Sequence, residues 1–232
     1  MTPRFRGVVF DLDGTLVDNL GFHVEAFALF VRRHGLPPMD HAMRGRLDGK
    51  RNRDIFPILL GRPLDPTSFQ RFEDEKEGLY RELSRGRLQP LPGLGRLLDL
   101  LEARGIGAAV ATSAPAANVD HTLEELGLSR RFRAVVRGDQ VPHGKPAPDV
   151  FLEAARQLGV PAAACLAFED APAGVSAAKA ANMTCIALTT SFTPEEFAAN
   201  GARPDAALPN FESFLSSWGD RLAEGTVATL PR

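Results

Sequence analysis

The stretch Phe5–Asp18, FRGVVFDLDGTLVD, constrains this chain more than any other. A short apolar run, Gly7-Val8-Val9-Phe10, leads straight into two carboxylates, Asp11 and Asp13, and then into the turn residues Gly14 and Thr15. An uninterrupted apolar run is the mark of a strand buried on both faces of a parallel sheet. Ending it in Asp-x-Asp sets two negative charges side by side at the carboxyl edge of that sheet, where open α/β folds carry their chemistry. Two carboxylates so close repel, and one is driven toward protonation unless a positive charge neutralises them. A hard divalent cation with oxygen ligands, Mg2+ foremost, meets that need. The plainer reading is an Asp-Gly turn whose carboxylate caps the next helix. The rest of the chain has to decide between them.

A length of 232 residues suits one large domain, or a domain carrying a smaller insertion. A formal net charge of −2 gives no basic footprint for nucleic acid. No apolar stretch approaches the ~20 residues needed to cross a bilayer, so no membrane partner is expected. The beginning, MTPRFRGVVFDLDG, lacks the shape of a signal peptide, because aspartates interrupt its apolar run. Cys165 and Cys185 lie singly in apolar segments without metal-ligand spacing, as small core residues of a reduced protein do. These features together read as a soluble cytoplasmic protein, with a monomer as the default state.

Beyond the first strand, a helical pattern spans about 19–34, with Phe22, Ala26, Phe27, Phe30 and Val31 on one face. Gly35 and Pro37-Pro38 end it. Residues 40–88 hold no convincing strand, only helical stretches over about 40–47, 53–60 and 66–85. From Leu94 the character changes: helices over 94–104, 116–126, 148–158 and 172–181 alternate with short apolar strands over 107–112, 134–136, 164–168 and 184–188. Alternation of this kind builds right-handed βαβ units and a parallel sheet covered by helices on both faces. Residues 1–18 and 89–232 therefore form an α/β core, and 19–88 an all-helical insertion poised over the edge that carries the aspartates. Residues 218–232 show no periodicity and read as a loosely held tail.

Three more strand ends carry chemistry. The strand ending at Thr112-Ser113 offers a hydroxyl and backbone N–H groups at a helix start, a ready anion site, although either residue could simply be an N-cap. Lys145 sits in Gly144-Lys145-Pro146-Ala147-Pro148, where two prolines stiffen the loop. So held, it could neutralise a phosphate and an attacking carboxylate together; the default for a lysine is a solvated surface. The strand over 164–168 ends in Glu169-Asp170, a second acidic pair before a helix. With Asp11 and Asp13, Asp170 would complete a ligand set for Mg2+, and Glu169 could join directly or through a water.

Taken as an ordered set, Asp11-Leu12-Asp13-Gly14-Thr15, Thr112-Ser113, Lys145 and Glu169-Asp170 resemble the four motifs of the haloacid dehalogenase superfamily, in its Mg2+-dependent phosphatase and phosphomutase branch. The resemblance covers nearly the whole chain, and the helical insertion looks like the cap of the β-phosphoglucomutase-like group. It implies a Rossmann-like core with a helical cap and a small phosphorylated metabolite as substrate. Asp11 would be the nucleophile that forms an aspartyl-phosphate, and Asp13 the general acid and base. The Asp11 carboxylate, the Asp13 backbone carbonyl and Asp170 would hold Mg2+, while Thr112, the Ser113 N–H and Lys145 would bind phosphoryl oxygens. Asp13 argues against dehalogenation, since that branch has no acid or base at this place.

Phosphatase and mutase differ in how the cap holds the far end of the substrate. His23, twelve residues after Asp11, and Lys76, four before Tyr80, match positions of mutase-like members. Asn52 departs, because mutases carry an arginine three residues after the cap glycine, here Gly49. Arg51 or Arg53 could stand in for it, and Lys50 lies beside them in the same candidate substrate-binding loop. Thr15 also follows the phosphatase pattern. The expectation is thus a phosphohydrolase acting on a sugar phosphate, with the mutase as alternative and a catalytically idle binding module as a remote one. The plainer readings are a core histidine for His23, a solvated charged face for Lys76, and weak pairing of the Lys50–Arg53 cluster with Asp48 and Asp54. His143, Trp218 and Tyr80 carry no functional signal of their own.

Overall fold

The computed structural model describes residues 5–40, 43, 47 and 50–224. The helix expected over 40–47 falls largely outside them, as do Asp48 and Gly49.

The apolar run after Arg6 forms β1 (Gly7–Phe10), every residue of it buried. It is followed by α1 (Leu20–Arg33), α2 (Asn52–Leu60) and α3 (Pro66–Ser84). The chain then returns to the sheet through α4 (Leu94–Ala103), β2 (Gly107–Thr112), α5 (Ala116–Glu125), β3 (Ala134–Arg137), α6 (Asp149–Leu158), β4 (Cys165–Glu169), α7 (Pro172–Ala180) and β5 (Thr184–Leu188). It finishes with α8 (Pro194–Ala199), β6 (Ala206–Leu208) and α9 (Phe211–Glu224).

The sheet is parallel throughout, in the order β3-β2-β1-β4-β5-β6. The first strand therefore lies inside it, and the chain builds outward on one side before crossing to the other. The crevice for chemistry opens at such a switch point, beside the carboxyl end of β1. Register decides what gathers there: Phe10 stands opposite Val110 on one side and Phe168 on the other. Asp11, Thr112 and Glu169-Asp170 thus emerge at one level of the sheet.

Alternation along the strands sends side chains to two cores. Val8, Phe10, Val110, Leu166 and Ile186 pack under α4, α5 and α9. Val9, Ala109, Ala167 and Cys185 pack under α6, α7 and α8. Phe10 is fully buried, stacked on Phe168 at 5.3 Å and edge-on to Phe132 and Phe211. Truncating it to alanine should cost about 3–5 kcal/mol and loosen the floor of the crevice. The insertion has its own apolar centre, with Phe30, Val31, Phe56, Leu59 and Phe72 at the junction of α1, α2 and α3.

Two expectations need correction. Residues 218–224 are not a loose tail but the last turns of α9, and Trp218 is buried against Phe214 at 5.5 Å. The spacing Phe211, Phe214, Trp218 is the helical signal that the polar residues between them obscured. The edge strand β6 was missed as well, being three residues long and made of alanine and leucine, weak strand formers.

Candidate active site

Asp11 follows β1 directly, and its N–H donates to Phe168 O at 2.9 Å, which fixes it between β2 and β4. Lys145 lies beneath it, only 3% exposed, with Nζ 2.5 Å from Asp11 Oδ1 and 2.7 Å from Glu169 Oε1. The surface-lysine reading is therefore wrong. Burial alone would lower the lysine's pKa, but Asp11 and Glu169 outweigh that and raise it, so Lys145 is a fixed cation. Glu169 is tied on its other side too, Oε2 accepting from the N–H groups of Asp170 and Ala171, both at 2.8 Å. Gly174 makes room for it: a Cβ there would lie 1.5 Å from Glu169 Oε1.

Asp170 accepts from the Ser191 hydroxyl and, at 3.4 Å, from Thr15 Oγ1. Thr15 thus serves the second acidic pair. Gly14, at φ +76, lets the chain turn where a Cβ would strike Asp170 at 2.0 Å.

Carboxylate oxygens of Asp11, Glu169 and Asp170 all lie within 4.8 Å of one another. Burial pushes Asp11 up to about 8, with Glu169 and Asp13 adding to the rise and Lys145 opposing it. Burial, Glu169 and Asp11 likewise drive Asp170 well above the usual carboxylate range. Three buried carboxylates against one lysine are short of positive charge. The deficit and the all-oxygen donor set fit a hard divalent cation.

The Asp13 side chain stands outside this acidic group. Asn19 Nδ2 donates to its Oδ1 at 2.5 Å and sits 2.6 Å from the Tyr80 hydroxyl, while Asn19 Oδ1 accepts from the Gly14 N–H at 3.2 Å. His23 Nε2 lies 3.6 Å from Asp13 Oδ1, beyond hydrogen-bond length, and has no other partner among the described residues. Burial raises the Asp13 pKa, but His23, Asn19 and Lys76 more than reverse that and hold the carboxyl below its usual range. Lys76 Nζ, which can only donate, lies 2.9 Å from His23 Nδ1. The ring is also stacked on Tyr80, 3.9 Å between centroids.

Thr112 is buried, and its Oγ1 accepts from the Ala114 N–H at 3.0 Å. Neither it nor Ser113 caps α5; that place belongs to Pro115. Thr112 and Ser113 border a cavity of about 710 Å3 between the sheet edge and the helical insertion, with Asp11, Asp13 and Asp170. His23, Lys50, Asn52 and Lys76 border the same cavity from the insertion. Lys76 is 2% exposed, so it is no solvated face. Arg51 does not border the cavity: Nε pairs with Asp54 at 2.9 Å and Nη1 donates to Gly138 O at 3.2 Å, strapping the insertion to the core. His143 pairs with the exposed end of α6 through Asp149 at 3.0 Å.

Sequence reasoning missed Asn19, Tyr80, Glu77, Asn118 and Ser191. Glu77 and Asn118 meet where α3 crosses α5, alongside Arg81–Asn118 at 2.7 Å and Ser84–His121 at 2.8 Å. The polar spacing of Glu77, Arg81 and Ser84 along one face of α3 was the available signal.

The sequence over residues 5–182 matches the family of haloacid dehalogenase-like hydrolases. The chain belongs to that family. Fructose-1-phosphate phosphatase YqaB of Escherichia coli (strain K12) is 35% identical to it over 191 residues, 80% of this chain and 97% of that protein. β-Phosphoglucomutase of Bacillus subtilis (strain 168) is 35% identical over 189 residues, 78% and 82% of the two chains. Among solved structures, a variant of CbbY from Rhodobacter sphaeroides in complex with xylulose-(1,5)bisphosphate superposes with a TM-score of 0.77 at 26% identity, over 89% of this chain and 95% of that one. No helix among the described residues is long and apolar enough to cross a membrane.

Proposed function

We propose that the chain is a divalent-metal-dependent phosphohydrolase of small phosphorylated carbohydrates, working through a phosphorylated Asp11. Residues 1–18 and 89–232 would be its catalytic core and 19–88 its cap. The observation that carries this reading is the placement of Lys145 against Asp11 in a group of three buried carboxylates. A fixed cation at a carboxylate nucleophile, beside the Thr112–Ser113 turn, is the arrangement that transfer of a phosphoryl dianion requires.

Asp11 Oδ attacks phosphorus as the ester P–O bond breaks, and Asp13, which takes up a proton as the negative charge of the phosphoryl group enters the site, gives it to the departing oxygen. Asp13 then takes a proton from water, whose oxygen attacks the same phosphorus; inorganic phosphate leaves and the Asp11 carboxylate is restored. Asn19, His23 and Tyr80 hold Asp13 at its post through both steps. Lys145, Thr112 and the Ser113 N–H bind the non-bridging oxygens. Asp11, Asp170 and the Asp13 backbone carbonyl would hold Mg2+, with Glu169 joining directly or through a water. When bound, it neutralises charge on the phosphoryl group and the attacking carboxylate.

Phosphate release from a panel of phosphorylated carbohydrates with Mg2+, run beside a coupled assay for β-glucose 1-phosphate isomerisation, tests the reading. Steady phosphate release is expected. Isomerisation with little free phosphate would make the chain a mutase.

A further inference from the structure

The wall of the cavity formed by α2, α3 and α5 carries charge that is already spent. Asn52 Nδ2 donates to Glu73 Oε1 at 3.1 Å and to Glu77 Oε1 at 2.7 Å. Two carboxylates can only be met by the amide nitrogen, so both N–H bonds of Asn52 are committed. Glu77 is 3% exposed and also accepts from Lys76 Nζ at 2.9 Å and Asn118 Nδ2 at 2.6 Å. Burial works against its charge, but Lys76, His23 and Asn52 more than offset that and keep it ionised. Lys76 gives its remaining face to the Phe27 ring, 4.3 Å away. The lysine that could have received a distant anion is thus neutralised by Glu77 and enclosed. Arg32 and Lys50 also border the cavity, but Arg32 is exposed and Lys50 half-buried, where water screens them.

We infer that Glu77, with Asn52 and Lys76, is a specificity determinant that rejects substrates carrying a second phosphate and admits monophosphates whose remaining atoms are neutral and hydroxylated. This rests on the proposed phosphohydrolase activity. A second phosphate at this wall would find the Lys76 charge already cancelled by Glu77 and both N–H bonds of Asn52 committed, so the cost of taking it out of water would go largely uncompensated. Hydroxyls can donate to Glu77, because each carboxylate oxygen accepts more than one bond and Oε2 takes only the one from Asn118. The wall therefore favours the chemistry of a sugar monophosphate over that of a bisphosphate, whether substrate or mutase activator.

The test measures kcat/KM for two matched pairs, fructose 1-phosphate with fructose 1,6-bisphosphate and glucose 1-phosphate with glucose 1,6-bisphosphate. It uses the full chain and the variants Glu77→Gln and Asn52→Lys, each checked for folding by circular dichroism. The parent protein is expected to favour the monophosphate by about 100-fold in at least one pair. Both variants should reduce that ratio at least about tenfold, chiefly through KM for the bisphosphate. A parent protein that takes bisphosphates as readily as monophosphates would overturn the inference, as would folded variants with an unchanged ratio. If one variant fails to fold, the other decides. Release of phosphate from no sugar phosphate and none from p-nitrophenyl phosphate would instead remove the proposed activity itself.

Discussion

Lys145 and Asp11, 134 residues apart in the chain, meet at 2.5 Å in a place nearly closed to water. The pairing exists because the loop after β3 reaches under the carboxyl end of β1, and Glu169 fixes the lysine from the other side at 2.7 Å. Removing one partner of a buried charged pair leaves the other uncompensated.

Replacing Lys145 by methionine should therefore damage both stability and turnover. Stripped of their cation, Asp11, Glu169 and Asp170 repel, and the loss should be about 3–5 kcal/mol in urea unfolding with chelator present. Turnover should fall by about 1,000-fold, since the lysine also faces developing phosphoryl charge. A variant as stable and active as its parent would refute the role.

Asn19 joins the Asp13 carboxylate, the Tyr80 hydroxyl and the Gly14 N–H. Asn19→Ala frees the general acid to turn, and kcat should drop about 10–100-fold with little change in KM. The pH–rate profile is the readout that a merely structural role would leave alone: its limb for Asp13 should move toward higher pH, because Asn19 stabilises the ionised form. An unmoved limb would mean that Asn19 only supports the turn.

Much of this was legible in the sequence, and the reason is local. Asp11, Thr112 and Glu169-Asp170 each stand at the carboxyl end of an apolar strand, so in-register parallel pairing had to bring them to one edge. Lys145 was legible as a held lysine from its prolines, but its depth was not. Tyr80, Glu77 and Asn118 escaped because packing between the insertion's helices and α5 gives them their roles, and no short-range pattern encodes it; Asn19 bonds its near neighbours Asp13 and Gly14 but read only as the start of a helix. Asn52 was noticed as a departure; its bonds to Glu73 and Glu77, 21 and 25 residues away, needed the structure.

Glu77 ties acid stability to the cavity. Burial would raise its pKa, yet Lys76, His23 and Asn52 hold it below its ordinary value of 4.5. The folded state binds the proton less well than the unfolded one, so the stabilisation is complete above that value and is lost as pH falls through the folded pKa. Melting temperatures of the parent and Glu77→Gln should differ at pH 6 and converge toward pH 3. A gap of the same size at both pH values would contradict the assignment.

The shortage of positive charge around Asp11, Glu169 and Asp170 predicts that exhaustive chelation stops turnover and that Mg2+ restores it. Mg2+ should also raise the melting temperature, an effect weakened in Asp170→Asn. Full turnover after chelation would remove the metal from the account.

The most direct test of the central claim is to trap the intermediate. The protein would be mixed with excess substrate and Mg2+, quenched in acid, reduced with borohydride and mapped by peptide mass spectrometry. The account predicts substrate-dependent conversion of the Asp11 carboxyl to an alcohol, and no such product in Asp11→Asn. Modification at another residue, or Asp11→Asn turning over like its parent, would contradict Asp11 as nucleophile.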